Sequence, residues 1–487
     1  MNRYRKLLSN TAIFGAGTFL SKVLSYLLIF IYTSLLTKSQ ISDAEFVQQI
    51  SNLIMPLAAV GVCDAITRFT IDAGDRRKEI FSSSVAILLG GSVAFLLLSP
   101  VLLLFDALDG YYLLIILFVL CANLQMAVSF YARSRGLTAL YAIQGVLNTA
   151  LTIGLSLLFI YLLDLGVTGL LLSVTVANFI VTVFLVLRLR IWRDLDFRTV
   201  KRATVRALLV YGIPMIPTTI LWAATNLTDH YIVRTVVDGG VEGYPNDGLF
   251  VCSYKIPNVL TLITTVFIEA WNLSAVRDSA EGEEREEFFE KVFRSYSSII
   301  FTAGALLIAF SRHISRILLN REFYGAWEFI PLLIVSTVFS AFATFISTVF
   351  SVSKKTLPAF LTALAGAAVN VAVSFLLAPV LGVHGVAIGT LVSYLSLFIL
   401  RCVIAGRYVK FSVSPLKLAL NALIMTAQAV CMIFEFPSGA VSERLPVWFL
   451  VQTGFVIAIA AVNFASIREG IALVFGSLAE RRARKKN

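Results

Sequence analysis

Apolar residues in this chain gather into long unbroken runs separated by short polar turns. Fourteen runs stand out, at roughly 9–36, 46–68, 80–105, 111–132, 139–163, 166–189, 207–232, 248–272, 295–319, 328–352, 357–381, 384–406, 415–435 and 445–466. About 20 residues of helix span the roughly 30 Å of hydrocarbon in a bilayer. The runs lack the strict alternation of membrane β-strands and exceed their length. The pattern therefore predicts an all-α polytopic membrane protein with about 14 transmembrane helices. Arg3, Arg5 and Lys6 precede a first run too long for a signal-peptide core, so it reads as a retained anchor.

Two stretches repeat a pattern. "SRGLTALYAIQGVLNTALTIGLSLLFIYLLDLGVTGLLLSV" (134–174) compares with "SKKTLPAFLTALAGAAVNVAVSFLLAPVLGVHGVAIGTLVS" (353–393). Each has a short basic loop, an apolar helix carrying Asn148 or Asn370, a GVTG or GVHG turn, and a further helix. The repeat predicts two six-helix lobes, 1–200 and 201–410, and a terminal helix pair with a basic tail over 411–487. An even number of helices per lobe gives both lobes the same membrane orientation, as in parallel-repeat transporters. The first run of each lobe carries backbone breakers, Gly15 and Gly17 in one, Pro214 and Pro217 in the other. Interrupted helices at matching places point to a central site with hinges, although Gly and Pro are also commoner in membrane helices generally.

Composition agrees: 58% of residues are hydrophobic and 14% charged, with a mean hydropathy of +0.86. The formal charge of +11 does not indicate nucleic acid as a partner. With the N-terminus inside, alternate loops place 32 of the 40 Lys and Arg on the cytoplasmic side, which is the positive-inside bias. Both termini are then cytoplasmic. Arg312, Arg316 and Arg321 fall on the outer side, where the ninth helix is expected to run into the interface and its arginines to snorkel. The five cysteines form no CxxC, and His230, His313 and His384 are far apart, so no metal or cofactor is expected. No Walker A loop and no loop long enough for a catalytic domain occurs, and the chain does not read as an enzyme.

Few charges lie inside the runs away from their ends: Lys22, Asp64, Asp229, Lys255 and Glu269, with Arg68 near an end. Such residues usually face a cavity or pair with one another. Lys22 is roughly 18 Å from either end of its run, too deep to snorkel. It either contacts an anion, forms an internal salt bridge or couples protons, and a phosphate would repay part of its desolvation. Asp64 and Arg68 stand four apart on one face and are each other's first partners. Asp229 and Lys255 form either an external gate or a structural pair. Glu269, beside Trp271, reads as an interfacial carboxylate and is otherwise a candidate for ion coupling.

"FLSKVLSYLL" (19–28), "LAAVGVCDAITRF" (57–69), "YGIPMIPTTILWAATNLTDHYIV" (211–233) and "SYKIPNVLTLITTVFIEAWNLSAVRD" (253–278) carry a resemblance. So does "REFYGAWEFIPLLIVSTVF" (321–339). Together they resemble the multidrug/oligosaccharidyl-lipid/polysaccharide flippase superfamily, in its Wzx-type polysaccharide branch. That resemblance implies two six-helix lobes around a central cavity. It also implies transfer of an undecaprenyl-pyrophosphate-linked oligosaccharide from the inner to the outer leaflet by alternating access. Lys22 matches a cavity-lining basic position of MurJ-type lipid II flippases. Their arginine-rich second helix is replaced here by Cys63, Asp64 and Arg68, which points away from lipid II.

In such a cavity Lys22 would meet the pyrophosphate, with Arg133, Arg135, Lys354 and Lys355 drawing it to the mouth. Asn123, Gln125, Gln144, Asn148, Thr225 and Asn226 would bond sugar hydroxyls. The expected partners are the lipid-linked oligosaccharide, membrane lipids, and a polysaccharide polymerase or glycosyltransferases, in the inner membrane. The alternatives are a multidrug or cation exporter of the same superfamily, and a non-transporting scaffold of a glycan assembly complex.

Overall fold

The computed structural model describes residues 21, 24–71, 74–105, 108, 110–239, 243–277, 283–352, 356–408, 414–434, 449–466 and 468. Among these it contains helices and turns and no strand. In chain order the helices are α1 (Leu24–Leu35), α2 (Lys38–Ala58), α3 (Val62–Ile71), α4 (Arg77–Leu98), α5 (Tyr112–Ser134) and α6 (Thr138–Ser156). Next come α7 (Gly166–Leu189), α8 (Arg202–Gly212), α9 (Ile216–Ile232), α10 (Pro245–Ser253), α11 (Asn258–Arg277) and α12 (Glu283–Leu318). The last five are α13 (Ile330–Val352), α14 (Thr356–Leu381), α15 (Val383–Ala405), α16 (Pro415–Phe434) and α17 (449–466).

Among the described residues, eleven helical segments are long and apolar enough to cross a membrane, and the chain is a polytopic all-α membrane protein. The first run is described only as the shorter helix α1. The second and seventh runs each fold as two helices with a break between them. The ninth forms α12, whose 36 residues span about 54 Å, well beyond the hydrocarbon thickness. Its excess length carries Arg312 and Arg316 into the last two turns. There their guanidiniums lie 4.2 Å and 5.5 Å from the ring centroids of Trp327 and Tyr324.

The chain divides into two compact units. The first comprises Met1–Tyr231 and Val241–Gly248, the second Ile232–Gly240 and Leu249–Asn487. The segment Arg202–Tyr231 thus belongs with the first unit, where α8 packs on α3 and α4. Buried Glu79 at the start of α4 holds that packing. It accepts from Thr204, pairs with Lys201 at 3.0 Å, and pairs with Arg76 at 3.0 Å. The core of this unit is aliphatic around Tyr131, which stacks on Phe81 at 3.9 Å.

In the second unit α13 is the central helix, with α11, α12, α15 and α16 packed around it. Its Phe345 lies among Trp271, Phe289, Phe293 and Tyr296, with ring centroids 4.9–5.4 Å away. Trp271 buries its indole and donates to Thr348 Oγ1 at 3.1 Å, so the polar handle is satisfied. The repeated pattern has a counterpart in both units. Asn148 on α6 donates to Asn178 on α7, and Asn370 on α14 donates to Thr390 on α15. The turn glycines Gly166 and Gly382 both take positive φ, 51° and 59°.

Candidate functional site

Asp64 directly follows a break in its run, and Lys255 lies within another. Irregular backbone at membrane depth leaves N–H and C=O groups without intrahelical partners. It is tolerated only where protein or a watery cavity covers it. Discontinuous helices of this kind build the sites of many transporters.

The first break separates α2 from α3. Pro56 cannot donate, and the chain turns through Ala59, Val60 and Gly61, with φ of 52° and 64° at the last two. The second break separates α8 from α9. Here Pro214 sits in a 3₁₀ turn over Ile213–Met215, and Pro217 follows in the first turn of α9. The seventh run is interrupted by this 3₁₀ turn. The two breaks touch inside the first unit: a Cβ on Gly61 would come 2.7 Å from the carbonyl carbon of Gly212. One on Gly212 would come 2.8 Å from the Gly61 oxygen. Only two glycines allow this approach, because each faces the other's bare backbone. A third break, the turn Tyr254–Pro257, parts α10 from α11 and contains half-buried Lys255.

Asp64 occupies the first turn of α3, directly after the first break, and its side chain lies outside the described residues. Arg68, one turn on, is exposed. Lys22, Gly15, Gly17, Lys354 and Lys355 lie outside the described residues, as does the side chain of Glu269. Asp229 is buried, 2% exposed, in the last turn of α9. Its neighbour His230 places Nδ1 2.7 Å from Asp247 Oδ1, a separation that requires a shared proton. Ser42 Oγ donates to Asp247 Oδ2 at 2.6 Å. Glu45 and Asp229 act on the same imidazole electrostatically. This cluster joins α2, α9 and α10. The spacing of His230 and Asp247, on either side of a loop, gave no signal for it.

Most of the polar side chains expected to bond sugar make hydrogen bonds within the protein. Gln125 Nε2 donates to Gln144 Oε1 at 2.7 Å and to Ser129 Oγ at 3.2 Å. Asn123, only 1% exposed, donates to Met55 O at the end of α2 and so supports the first break. Ser21, next to Lys22 in sequence, donates to Gly145 O and shares a proton with Thr149 Oγ1 on α6. Thr225 Oγ1 donates to Leu221 O within its own helix, and Asn226 is half-buried.

Arg133 lies over the Tyr141 ring at 5.5 Å. Arg135 pairs with Asp194 at 3.0 Å, and Tyr131 Oη donates to the same carboxylate at 2.8 Å. Arg135 thus stitches α5 to the turn after α7, with 28% of its side chain exposed.

Buried Arg401 on α15 escaped the reading of the sequence, because it lies close to the end of its run. It donates to Ala343 O at 2.7 Å and Thr362 Oγ1 at 3.4 Å, and no described carboxylate pairs with it. A buried cation of this kind costs about as much in desolvation as it recovers. Arg401→Met is therefore expected to shift the thermal unfolding of the purified protein by no more than about 1.5 kcal/mol. A larger loss would show that the cation itself holds α13, α14 and α15 together.

Comparison with known proteins follows the same lines. A family model described as polysaccharide biosynthesis protein matches residues 7–271, more than half of the chain. No curated protein matches the chain in sequence. Among solved structures, the inward-facing conformation of a multidrug resistance MATE family transporter of the MOP superfamily is similar at TM-score 0.63 and 18% identity. That match covers 80% of this chain and 96% of the other. A MATE in complex with MaL6 is similar at TM-score 0.61 and 17% identity, over 82% and 96%. An outward-facing MATE family transporter follows at TM-score 0.58 and 18% identity, over 82% and 95%. The chain therefore belongs to the polysaccharide biosynthesis protein family, built on the fold of the MATE transporters of the MOP superfamily.

Proposed function

We propose that this protein is a flippase that carries an undecaprenyl-pyrophosphate-linked oligosaccharide from the inner to the outer leaflet by alternating access. The observation that carries the reading is the polysaccharide biosynthesis match over residues 7–271, which includes nearly all of the first unit. Interrupted helices meeting at Gly61 and Gly212 support a transport role. The physical task is a polar, multiply charged head that cannot cross hydrocarbon, on a tail that never has to leave it. Lys22 supplies charge to the pyrophosphate, and the amides of α5 to α7 exchange their mutual bonds for sugar hydroxyls. The protein sits in the inner membrane with both termini cytoplasmic, and a polymerase or glycosyltransferases handle the same glycan.

The test is reconstitution in liposomes with a lipid-linked oligosaccharide and measurement of outward transfer. Lys22→Ala is expected to lower the rate about 10- to 100-fold, the worth of one charge-assisted contact. Lys22→Arg should retain most of it. Wild-type transfer by a folded Lys22→Ala protein would remove Lys22 from the site. The MATE fold keeps a second reading, a multidrug or cation exporter. Export of an organic cation by the same vesicles, with no glycan transfer across several glycans, would decide for it. Failure of both leaves a scaffold of a glycan assembly complex.

A further inference from the structure

The turn between α7 and α8 stands at a membrane surface. α7 has 24 residues and spans about 36 Å, enough to cross the hydrocarbon. Its last residue is Leu189, and the next α-helix starts at Arg202. The turn is pinned from beneath. Ile191 is buried in the aliphatic core at 7% exposed. Asp194 accepts from Tyr131 and Arg135, the Asp196 amide donates to Ser82 Oγ at 2.8 Å, and Lys201 pairs with Glu79.

What the pinned turn presents outward is aromatic and cationic. Trp192 and Phe197 are 56% and 50% exposed, beside Leu187 at 60% in the last turn of α7. Arg188, Arg190, Arg193, Arg198, Arg202 and Arg206 are exposed too. Both carboxylates of the turn are otherwise engaged. Asp194 accepts from Arg135 and Tyr131, and Asp196 accepts from the Arg198 amide at 3.0 Å. No ion pair among the described residues involves any of the six arginines.

A positive-inside bias is satisfied by basic residues anywhere in a loop. It does not call for exposed aromatic rings among them. A ring left in water forgoes the burial that the boundary between headgroups and acyl chains offers, and Trp suits a layer with one apolar and one wet side. A guanidinium grips a phosphate through two parallel N–H donors. Roughly four to eight such cations beside a membrane helix attract anionic lipid.

We infer that the turn over 188–206 docks on the headgroups of anionic phospholipids, with its arginines on the phosphates and Trp192 and Phe197 set at the acyl boundary. The contact holds this turn of the first unit to the membrane surface and does not depend on what the protein transports.

Brominated phospholipid is titrated into the detergent-purified full-length protein with no glycan present. Quenching at Trp192 is taken as the difference between wild type and Trp192→Phe. Brominated phosphatidylglycerol should quench at far lower concentration than brominated phosphatidylcholine, whose headgroup has no net charge. Arg193→Gln combined with Arg198→Gln should raise the phosphatidylglycerol concentration needed about 25-fold, near fivefold for each cation. Arg193→Lys with Arg198→Lys should keep most of the binding. Arg407→Gln, at an exposed arginine after α15, should leave it unchanged. Equal quenching by the two lipids, or an unchanged titration in the glutamine double variant, would overturn the proposal. So would the absence of quenching by either lipid, which would point to an acidic protein segment as the partner instead.

Discussion

Gly61→Val is expected to cost about 4 kcal/mol or more, enough to remove the folded protein from detergent extracts. Two penalties add. Gly61 has φ of 64°, where a β-branched side chain is strained. The new Cβ would also press on the Gly212 backbone at 2.7 Å, and a backbone group cannot rotate aside as a side-chain tip can. Gly212→Val should behave alike, since its Cβ would come 2.8 Å from the Gly61 oxygen. Gly154→Ala is the control, because nothing lies within 4 Å of its Cβ position. Fluorescence-detected size exclusion and thermal unfolding read the effect. A Gly61→Val protein that elutes and melts like wild type would mean that the two breaks do not rest on each other.

Asp247→Ala should cost about 3–5 kcal/mol, the usual penalty for removing one member of a buried pair. The carboxylate is fully enclosed and both of its oxygens are used, one by His230 and one by Ser42. Its removal takes a close partner from a buried imidazole and from a buried hydroxyl. Asp247→Asn, which keeps an acceptor, should cost less. The double variant His230→Ala/Asp247→Ala should lose less than the sum of the two single losses, because each single deletion already removes the contact the two share. Additive losses would show that the two side chains stabilise the unit separately. The anchorage matters because 241–248 belongs to the first unit while the chain on both sides of it belongs to the second.

Much of the architecture is legible in the chain. Hydropathy is a property of a 20-residue stretch and needs no neighbour, so the runs 77–104, 112–134 and 330–350 are recognisable as spans from composition alone. The break in the seventh run is legible for the same reason, since Pro214 and Pro217 disrupt a helix wherever it sits. The break in the second run was not. Its Pro56 lies inside α2, and the turn at Val60 and Gly61 is stable only because Gly212 is opposite and Asn123 caps the Met55 carbonyl.

Partner choice was likewise closed to the sequence. Asn123, Gln125, Gln144 and Asn148 read as cavity groups in the sequence, and helix packing decided that Gln125 meets Gln144, Asn148 meets Asn178 and Asn123 meets the Met55 carbonyl. His230 and Asp247 are unremarkable until the loop returns one to the other. By itself the sequence determined that long apolar stretches dominate the chain and where proline disfavours a straight helix. Only the tertiary structure decided which buried polar groups pair, because a hydrogen bond depends on the helix faces that meet. Hydrophobicity sets each helix's solvent but leaves open which faces meet.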